Sequence, residues 1–313
     1  MLSPDQFQSL RSGMVTVRER PALFELSGSG AVECLQGLLT CDLAEAESPR
    51  LSYGAMLTPK GMILLDPFVF RADRLVLLLP GFAREIALGH FRRVLPPRLA
   101  RVTDRSEEWE ALWVLGDEAG PELGRKFESL PPPGRITGVG TGYLARGVPA
   151  MPFQAVAIGD RESIGALEAG LRPEALAGDE AFLAAARIRA GWPGLGREID
   201  EKTLPQEVRY DELGAVSYSK GCYIGQETVA RVHFRGHPNR VLRALELPPA
   251  RSFPDRQVFH AERPAGILRT TVEVGERTLA LATIRREVPD DAVLRVSGLP
   301  GRIVPFPPAE VAA

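Results

Sequence analysis

Short apolar segments separated by proline and glycine make up the first hundred residues. Apolar side chains spaced three and four apart indicate helices, whereas compact apolar runs bounded by turn residues indicate strands. A proline-then-glycine turn, Thr58 to Gly61, joins two of these runs. The pattern predicts a helix over 29–39, strands over 51–57, 62–70 and 74–79, and a helix over 82–95.

The middle of the chain predicts a small α+β module. The order of its elements is typical of a split βαβ arrangement: strands over 109–115, near 143 and over 153–158, with helices around 123–127 and over 164–171. Asp179 is placed to cap a further helix that runs to Arg189 and ends at Gly191. Beyond Pro238, short apolar runs between turn residues predict a separate antiparallel sheet or barrel, with strands over 241–247, 269–274, 278–284 and 292–296.

Length and composition indicate an ordinary globular protein of two or three domains, because 313 residues exceed one compact core. With 38 basic and 40 acidic residues the net charge is −2, and no basic tract stands out. Nucleic acid is therefore not an expected partner. The N-terminus lacks a signal-peptide pattern, and no apolar run reaches the roughly 18 residues of a membrane span. Three cysteines cannot all pair, so a cytoplasmic location is expected.

Residues 220–231 concentrate more chemistry than any other stretch. Within twelve residues the segment holds Lys220, Cys222, Tyr223, Gln226, Glu227 and Arg231. The Gln-Glu pair opens an apolar run that indicates a helix. A thiol beside a helix N-terminus and a lysine ionises more easily, which favours a reactive Cys222. Alternatively, Gly221 and Gly225 serve a tight turn and Cys222 is a small buried apolar side chain.

Asp66 is a carboxylate inside the most apolar predicted strand. Burying it alone would be costly, so it needs a partner. It could accept two parallel N–H bonds from a ligand such as the 2-amino-4-oxo ring of a pterin. Equally, Pro67 could mark a strand edge where Asp66 faces solvent. Arg187 and Arg189 lie at a predicted helix end, where they either complement the helix dipole or hold a ligand carboxylate.

A metal site is not expected. His233 and His237 lie four apart and follow Cys222, which superficially resembles half a zinc site. Gly236 and Pro238 break the helix that would place both histidines on one face, and no fourth ligand is evident. The remaining cysteines lack paired metal or redox spacing, and no hydrolase, P-loop or dinucleotide-binding motif is present.

The segment from Lys220 to Arg231 resembles the signature of the YgfZ family, folate-binding relatives of the glycine-cleavage T-protein. Three further stretches occur in the family's order: 35–42, then 57–62 leading to Asp66, then 187–193 leading to 205–207. The resemblance implies an α+β fold, with a T-protein-like ring of α/β domains around a central folate pocket and a C-terminal antiparallel β-barrel. It implies a folate-binding domain over 1–105 plus 172–235, a ferredoxin-like domain over 106–171 and a barrel over 236–313.

The resemblance also implies tetrahydrofolate, or a one-carbon derivative, as cofactor. Cys222 would be the reactive thiol, with Lys220 lowering its pKa. The implied cofactor-binding residues are Asp66, Tyr223, Gln226, Glu227, Arg231 and Arg189. Arg189 departs from the family pattern of T-proteins, which carry a glutamate there, and T-proteins lack the Cys222 thiol.

The implied function is therefore an accessory role in iron–sulfur cluster assembly or repair. A folate-dependent aminomethyltransferase of the T-protein type is the alternative, and a protein-interaction scaffold is a third hypothesis. Whether the protein turns over a substrate stays open at this point. The expected partners are folate and iron–sulfur client or assembly proteins, without nucleic acid or membrane, and the protein is expected to be a monomer.

Overall fold

The computed structural model describes residues 2–44, 49–127 and 130–306. Apolar faces and capping residues define the helices. Asp179, for example, accepts a hydrogen bond from the backbone amide of Ala181, and Gly191 closes the same helix in the left-handed conformation, as predicted. The helices of the described residues are α1 (Pro4–Ser12), α2 (Ala31–Gln36), α3 (Arg84–Val94), α4 (Ala119–Lys126), α5 (Arg161–Leu171), α6 (Glu180–Ala190) and α7 (Gln226–Arg235).

Most strands of the described residues follow apolar runs of the sequence. The first eight are β1 (Met14–Glu19), β2 (Ala22–Ser27), β3 (Arg50–Tyr53), β4 (Met56–Leu57), β5 (Ile63–Leu65), β6 (Phe68–Arg71), β7 (Leu75–Leu79) and β8 (Arg101–Asp104). The next five are β9 (Trp109–Leu115), β10 (Ile136–Val139), β11 (Gly142–Arg146), β12 (Ala155–Asp160) and β13 (Ala175–Ala177). The last six are β14 (Arg240–Leu247), β15 (Gln257–His260), β16 (Arg263–Val274), β17 (Arg277–Arg285), β18 (Val293–Val296) and β19 (Leu299–Val304).

Four sheets result. A six-stranded sheet has the order β10-β11-β12-β9-β1-β13, and a five-stranded sheet has the order β3-β6-β7-β2-β8. β4 and β5 form a two-stranded hairpin, and β14-β17-β16-β15-β18-β19 close into a barrel. All neighbours in the barrel are antiparallel, and β16 carries a register shift between Leu268 and Thr271. A bulge of this kind bends a strand and helps a sheet to close.

Strand β9 shows how the six-stranded sheet separates two cores. All seven of its residues are buried. Because side chains alternate across a strand, Trp113 and Leu115 belong to the main core, whereas Leu112 and Val114 belong to a smaller core. That smaller core includes apolar residues of α4 and α5. Trp113 thus faces the centre of the molecule, where the candidate site lies.

The predicted strand over 62–70 is interrupted. β5 ends at Leu65 and β6 begins at Phe68, so Asp66 and Pro67 lie between two strands. Proline cannot donate to a strand ladder, which accounts for the break. The interruption leaves Asp66 outside regular pairing, with its side chain available to the interior.

One sheet contains strands from two of the predicted domains. Strand β9, from the segment 106–171, pairs with β1, and β1 pairs in turn with β13. The six-stranded sheet therefore joins segments assigned to two different predicted domains. The barrel comprises β14 to β19 and lies within the predicted C-terminal domain. The division into three domains stays a prediction. None of the helices in the described ranges is long and apolar enough to cross a membrane.

Candidate functional site

Asp66 is buried, with only 6% of its surface exposed. The Tyr53 hydroxyl donates a hydrogen bond of 3.2 Å to the Asp66 Oδ2 atom, and it lies 2.9 Å from the hydroxyl of Tyr210. The other carboxyl oxygen, Oδ1, has no hydrogen-bond partner among the described residues. The hypothesis that Asp66 faces solvent at a strand edge is therefore wrong.

Burial raises the pKa of Asp66 to about 7, because the interior disfavours the charged carboxylate. The Tyr53 hydroxyl, the Arg187 guanidinium and the backbone amide of Leu195 act in the opposite direction and lower it. Desolvation is the largest of these effects. Asp66 thus changes charge near neutral pH, unlike an ordinary aspartate, and perturbed groups of this kind are concentrated at functional sites.

Asp66 helps to line a cavity of about 420 Å³. Its walls are largely aromatic, and some of the rings contact each other: Phe68 stacks on Trp192 with 5.8 Å between centroids, and Tyr53 lies 4.6 Å from Trp192. The aromatic residues that line it are Tyr53, Phe68, Phe82, Trp113, Phe153 and Trp192. Such walls suit a flat, conjugated ligand.

Glu19, at the end of β1, is a second acidic group in the cavity wall. The indole Nε1 of Trp113 donates a 2.7 Å hydrogen bond to its carboxylate. Burial raises the pKa of Glu19, while the bond from Trp113 lowers it. The bond fixes the orientation of Trp113 in the wall.

Arg187, from α6, supplies a positive charge that lowers the pKa of Asp66. Its guanidinium lies 2.5 Å from the fully buried carboxylate of Glu198, which also accepts a bond from the backbone amide of Gly194. Arg187 lines the cavity, whereas Arg189 does not. Arg187 and Arg189 are two residues apart on a helix, so their side chains project in directions about 200° apart.

Arg189 binds elsewhere. It donates to the backbone carbonyl of Leu10 at 2.7 Å and forms an ion pair with Asp117 at 2.6 Å. Both partners help to line a different cavity, which also contains Arg189. The cofactor-binding role of Arg189 stays a prediction, but in this structure its contacts are not those of the Asp66 cavity.

Cys222 is exposed, so the interpretation of this cysteine as a buried apolar side chain is wrong. Tyr223, next to it, is buried. The Gln226 side chain accepts a hydrogen bond of 3.1 Å from the Tyr223 amide and thereby closes the turn before α7. Gly225 has a φ of 83°, and a Cβ atom there would lie 2.5 Å from the carbonyl oxygen of Thr58. The glycine therefore lets the segment pack closely against the β4–β5 hairpin.

Lys220 anchors this segment to the rest of the chain. Its ammonium donates to three backbone carbonyls: Gln36 at 2.8 Å, Leu39 at 2.7 Å and Cys41 at 2.8 Å. It also lies 5.3 Å from the centre of the Tyr223 ring. Partial burial lowers its pKa. These contacts give Lys220 a structural task, and its influence on Cys222 stays a prediction.

The structure does not bring the two predicted groups of site residues together in one cavity. No residue of 220–231 lines the Asp66 cavity, and Glu227 and Arg231 are exposed on α7.

Sequence reasoning missed the aromatic wall and singled out Arg187 only as one of a pair. The sequence did contain a signal for Trp192: it directly follows Gly191, the residue that ends the helix carrying Arg187. Within the described ranges, no three His, Cys, Asp or Glu side chains are grouped to hold a metal ion.

Comparisons with known proteins agree with this architecture. Residues 16–129 match the family model described as the GCVT N-terminal domain. The solved structure of glycine cleavage system aminomethyltransferase T from Bartonella henselae superposes with a TM-score of 0.81, at 17% identity, over 98% of this chain and 89% of that chain. The likeness shows the fold, and it confirms the predicted T-protein-like α+β class with a terminal barrel.

The sequence relatives are more specific. The tRNA-modifying protein YgfZ of Sodalis glossinidius is 30% identical over 227 residues, which cover 71% of this chain and 67% of that protein. The tRNA-modifying protein YgfZ of Cronobacter sakazakii is 27% identical over 285 residues, covering 88% of this chain and 85% of that protein. These matches confirm the resemblance noted for the segment 220–231, and the chain belongs to the YgfZ family.

Proposed function

We propose that this protein binds tetrahydrofolate, or a one-carbon derivative of it, in the Asp66 cavity and serves as an accessory protein in iron–sulfur cluster assembly or repair. The single observation that supports the folate proposal is the buried, unpartnered Oδ1 atom of Asp66, a residue that lines an aromatic-walled cavity. A buried acceptor without a partner is costly to the folded state. A ligand that donates to it would remove that cost.

The chemistry of a pterin fits this arrangement. Its 2-amino-4-oxo ring presents two parallel N–H donors, which a carboxylate can accept side by side. The Tyr53 hydroxyl occupies only one lone pair of Oδ2, so both oxygens retain acceptor capacity. The aromatic walls can contact the flat faces of the ring. Because the ligand donates to the ionised form, binding would lower the pKa of Asp66 and be favoured above pH 7.

The exposed Cys222 thiol supports the accessory part of the proposal, because it can meet a partner protein without rearrangement of the core. The relatives are named for tRNA modification. For this chain we propose only an indirect role in tRNA modification, in which the protein supports a modifying enzyme. A net charge of −2 without a basic tract favours a protein or small-molecule partner over tRNA itself.

Calorimetric titration with tetrahydrofolate at pH 7.5 tests the folate proposal. We expect the wild-type protein to bind and the isosteric Asp66→Asn variant to bind at least about tenfold more weakly, because it loses a charged acceptor. Glu207→Gln is the matched control, since Glu207 is also buried but pairs with Arg240 outside the cavity. Absence of binding to the wild-type protein would refute the folate proposal.

The aminomethyltransferase alternative predicts formation of methylene-tetrahydrofolate from an aminomethylated lipoyl carrier. We expect none. T-proteins carry a glutamate where this chain has Arg189, and the Arg189 side chain is paired with Asp117 away from the Asp66 cavity.

A further inference from the structure

A second concavity, of about 690 Å³, adjoins the Asp66 cavity. It lies between the first turns of α6 and strand β16 of the barrel. We call it the arginine groove, because four arginines line it against two glutamates. The charged lining residues are Arg197, Arg251, Arg256, Arg269, Glu180 and Glu273.

Much of this positive charge is available to a ligand. Arg251 and Arg256 are exposed, and neither forms an ion pair with a described residue. Arg256 donates only to the backbone carbonyl of Arg269. Arg269 itself pairs with Asp200 at 2.8 Å. A groove lined by two guanidinium groups that have no ion-pair partner among the described residues suits an extended anion with more than one carboxylate.

The arginine groove and the Asp66 cavity share part of their walls. Glu180, Ala184 and Arg197 line both of them. Glu180 and Arg197 form an ion pair with each other, and both side chains are substantially exposed. A ligand that extends out of the cavity past this pair would enter the groove.

A buried hydrogen-bond chain also joins the two. The Thr270 hydroxyl, in the groove, donates to the Glu198 carboxylate, and the other oxygen of Glu198 binds Arg187 in the cavity wall. The barrel wall of the groove is therefore held in a definite position relative to the cavity.

We propose that the arginine groove binds the poly-γ-glutamate tail of a folate whose pterin ring occupies the Asp66 cavity. The inference rests on the proposed folate function and names the form of folate that the protein selects. Each added γ-linked glutamate brings one free α-carboxylate, and the groove offers several guanidinium groups to bind such carboxylates. Arg197 exchanges its contact with Glu180 for the first of these carboxylates.

The test compares tetrahydrofolate monoglutamate with tetrahydrofolate pentaglutamate by calorimetry. Several partly exposed ion pairs each contribute modestly, so we expect the pentaglutamate to bind the wild-type protein about tenfold more tightly. This gain should be lost in the double variant Arg251→Gln, Arg256→Gln and should shrink as ionic strength rises. The control is Arg263→Gln, Arg295→Gln, which removes the same charge from exposed barrel positions outside the groove.

The outcomes separate the two proposals. Monoglutamate binding with no gain for the pentaglutamate, or a gain equally present in the groove variant, overturns the groove inference and leaves the folate proposal standing. No binding of either ligand overturns both. A gain that is lost in the groove variant and retained in the control supports the inference, and so does pentaglutamate binding confined to proteins with Arg251 and Arg256 intact.

Discussion

The Asp66 cavity and the segment 220–231 use their polar groups in opposite ways. In the segment, Lys220 donates to three carbonyls and Gln226 caps the turn before α7, so these groups stabilise the local structure. In the cavity, a carboxyl oxygen in the protein interior has no partner among the described residues. A dense sequence motif can thus serve mainly to stabilise local structure. The unpartnered buried acceptor, in contrast, lies in a cavity whose lining residues are far apart in sequence.

The difference also has an energetic meaning. A lysine whose ammonium group is fully hydrogen-bonded at a turn raises the stability of the fold, whereas a buried acceptor without a hydrogen-bond partner lowers it. Proteins retain such local costs mainly where function requires them. The comparison therefore supports the proposal that the cavity binds the ligand, and the reactivity of the exposed Cys222 stays a prediction.

Asp66→Asn should give the largest effect. The pKa of Asp66 lies near 3.8 in the unfolded chain and is raised to about 7 in the folded protein. The folded state therefore binds more protons between these values, and stability falls as pH rises through that window. Wild type should lose about 4 kcal/mol relative to Asp66→Asn between pH 4 and pH 8. Urea unfolding of both proteins across this range measures it, and parallel pH profiles would contradict a raised pKa.

Lys220→Met should have the next largest effect. The substitution leaves three backbone carbonyls without their charged donor, so the free energy of unfolding should fall by about 2 kcal/mol. Lys202→Met is the control, since Lys202 is exposed and its side chain makes no hydrogen bond or ion pair with the described residues. Equal unfolding midpoints in urea for the two variants would show that Lys220 is not an anchor.

Cys222→Ser should change the free energy of unfolding least, by less than about 0.5 kcal/mol, because the side chain is exposed. It should instead abolish the fastest reaction of the folded protein with a disulfide reagent. Cys41 cannot replace it, because burial raises the pKa of that thiol to about 11. A fast phase of unchanged amplitude in Cys222→Ser would show that another thiol is the accessible one.

Local pattern predicted much of the secondary structure. The strand over 109–115 and the helix capped by Asp179 were identified because their apolar runs and capping residues are local signals. The helix over 82–95 formed mainly as α3, in which the apolar side chain of Ile86 is exposed and that of Phe91 is buried; Phe82, just before the helix, is exposed as well. Strands β1 and β13 were missed, because they are stabilised by pairing with distant segments.

The sequence by itself determined the family, the fold class, the carboxylate in an apolar segment and the thiol segment, since each depends on residues close together in the chain. Only the tertiary structure decided that Arg187 and not Arg189 lines the Asp66 cavity, and that aromatic rings from distant segments enclose it. Desolvation depends on what packs around a group in space, so the raised pKa of Asp66 and the junction with the arginine groove required the folded chain.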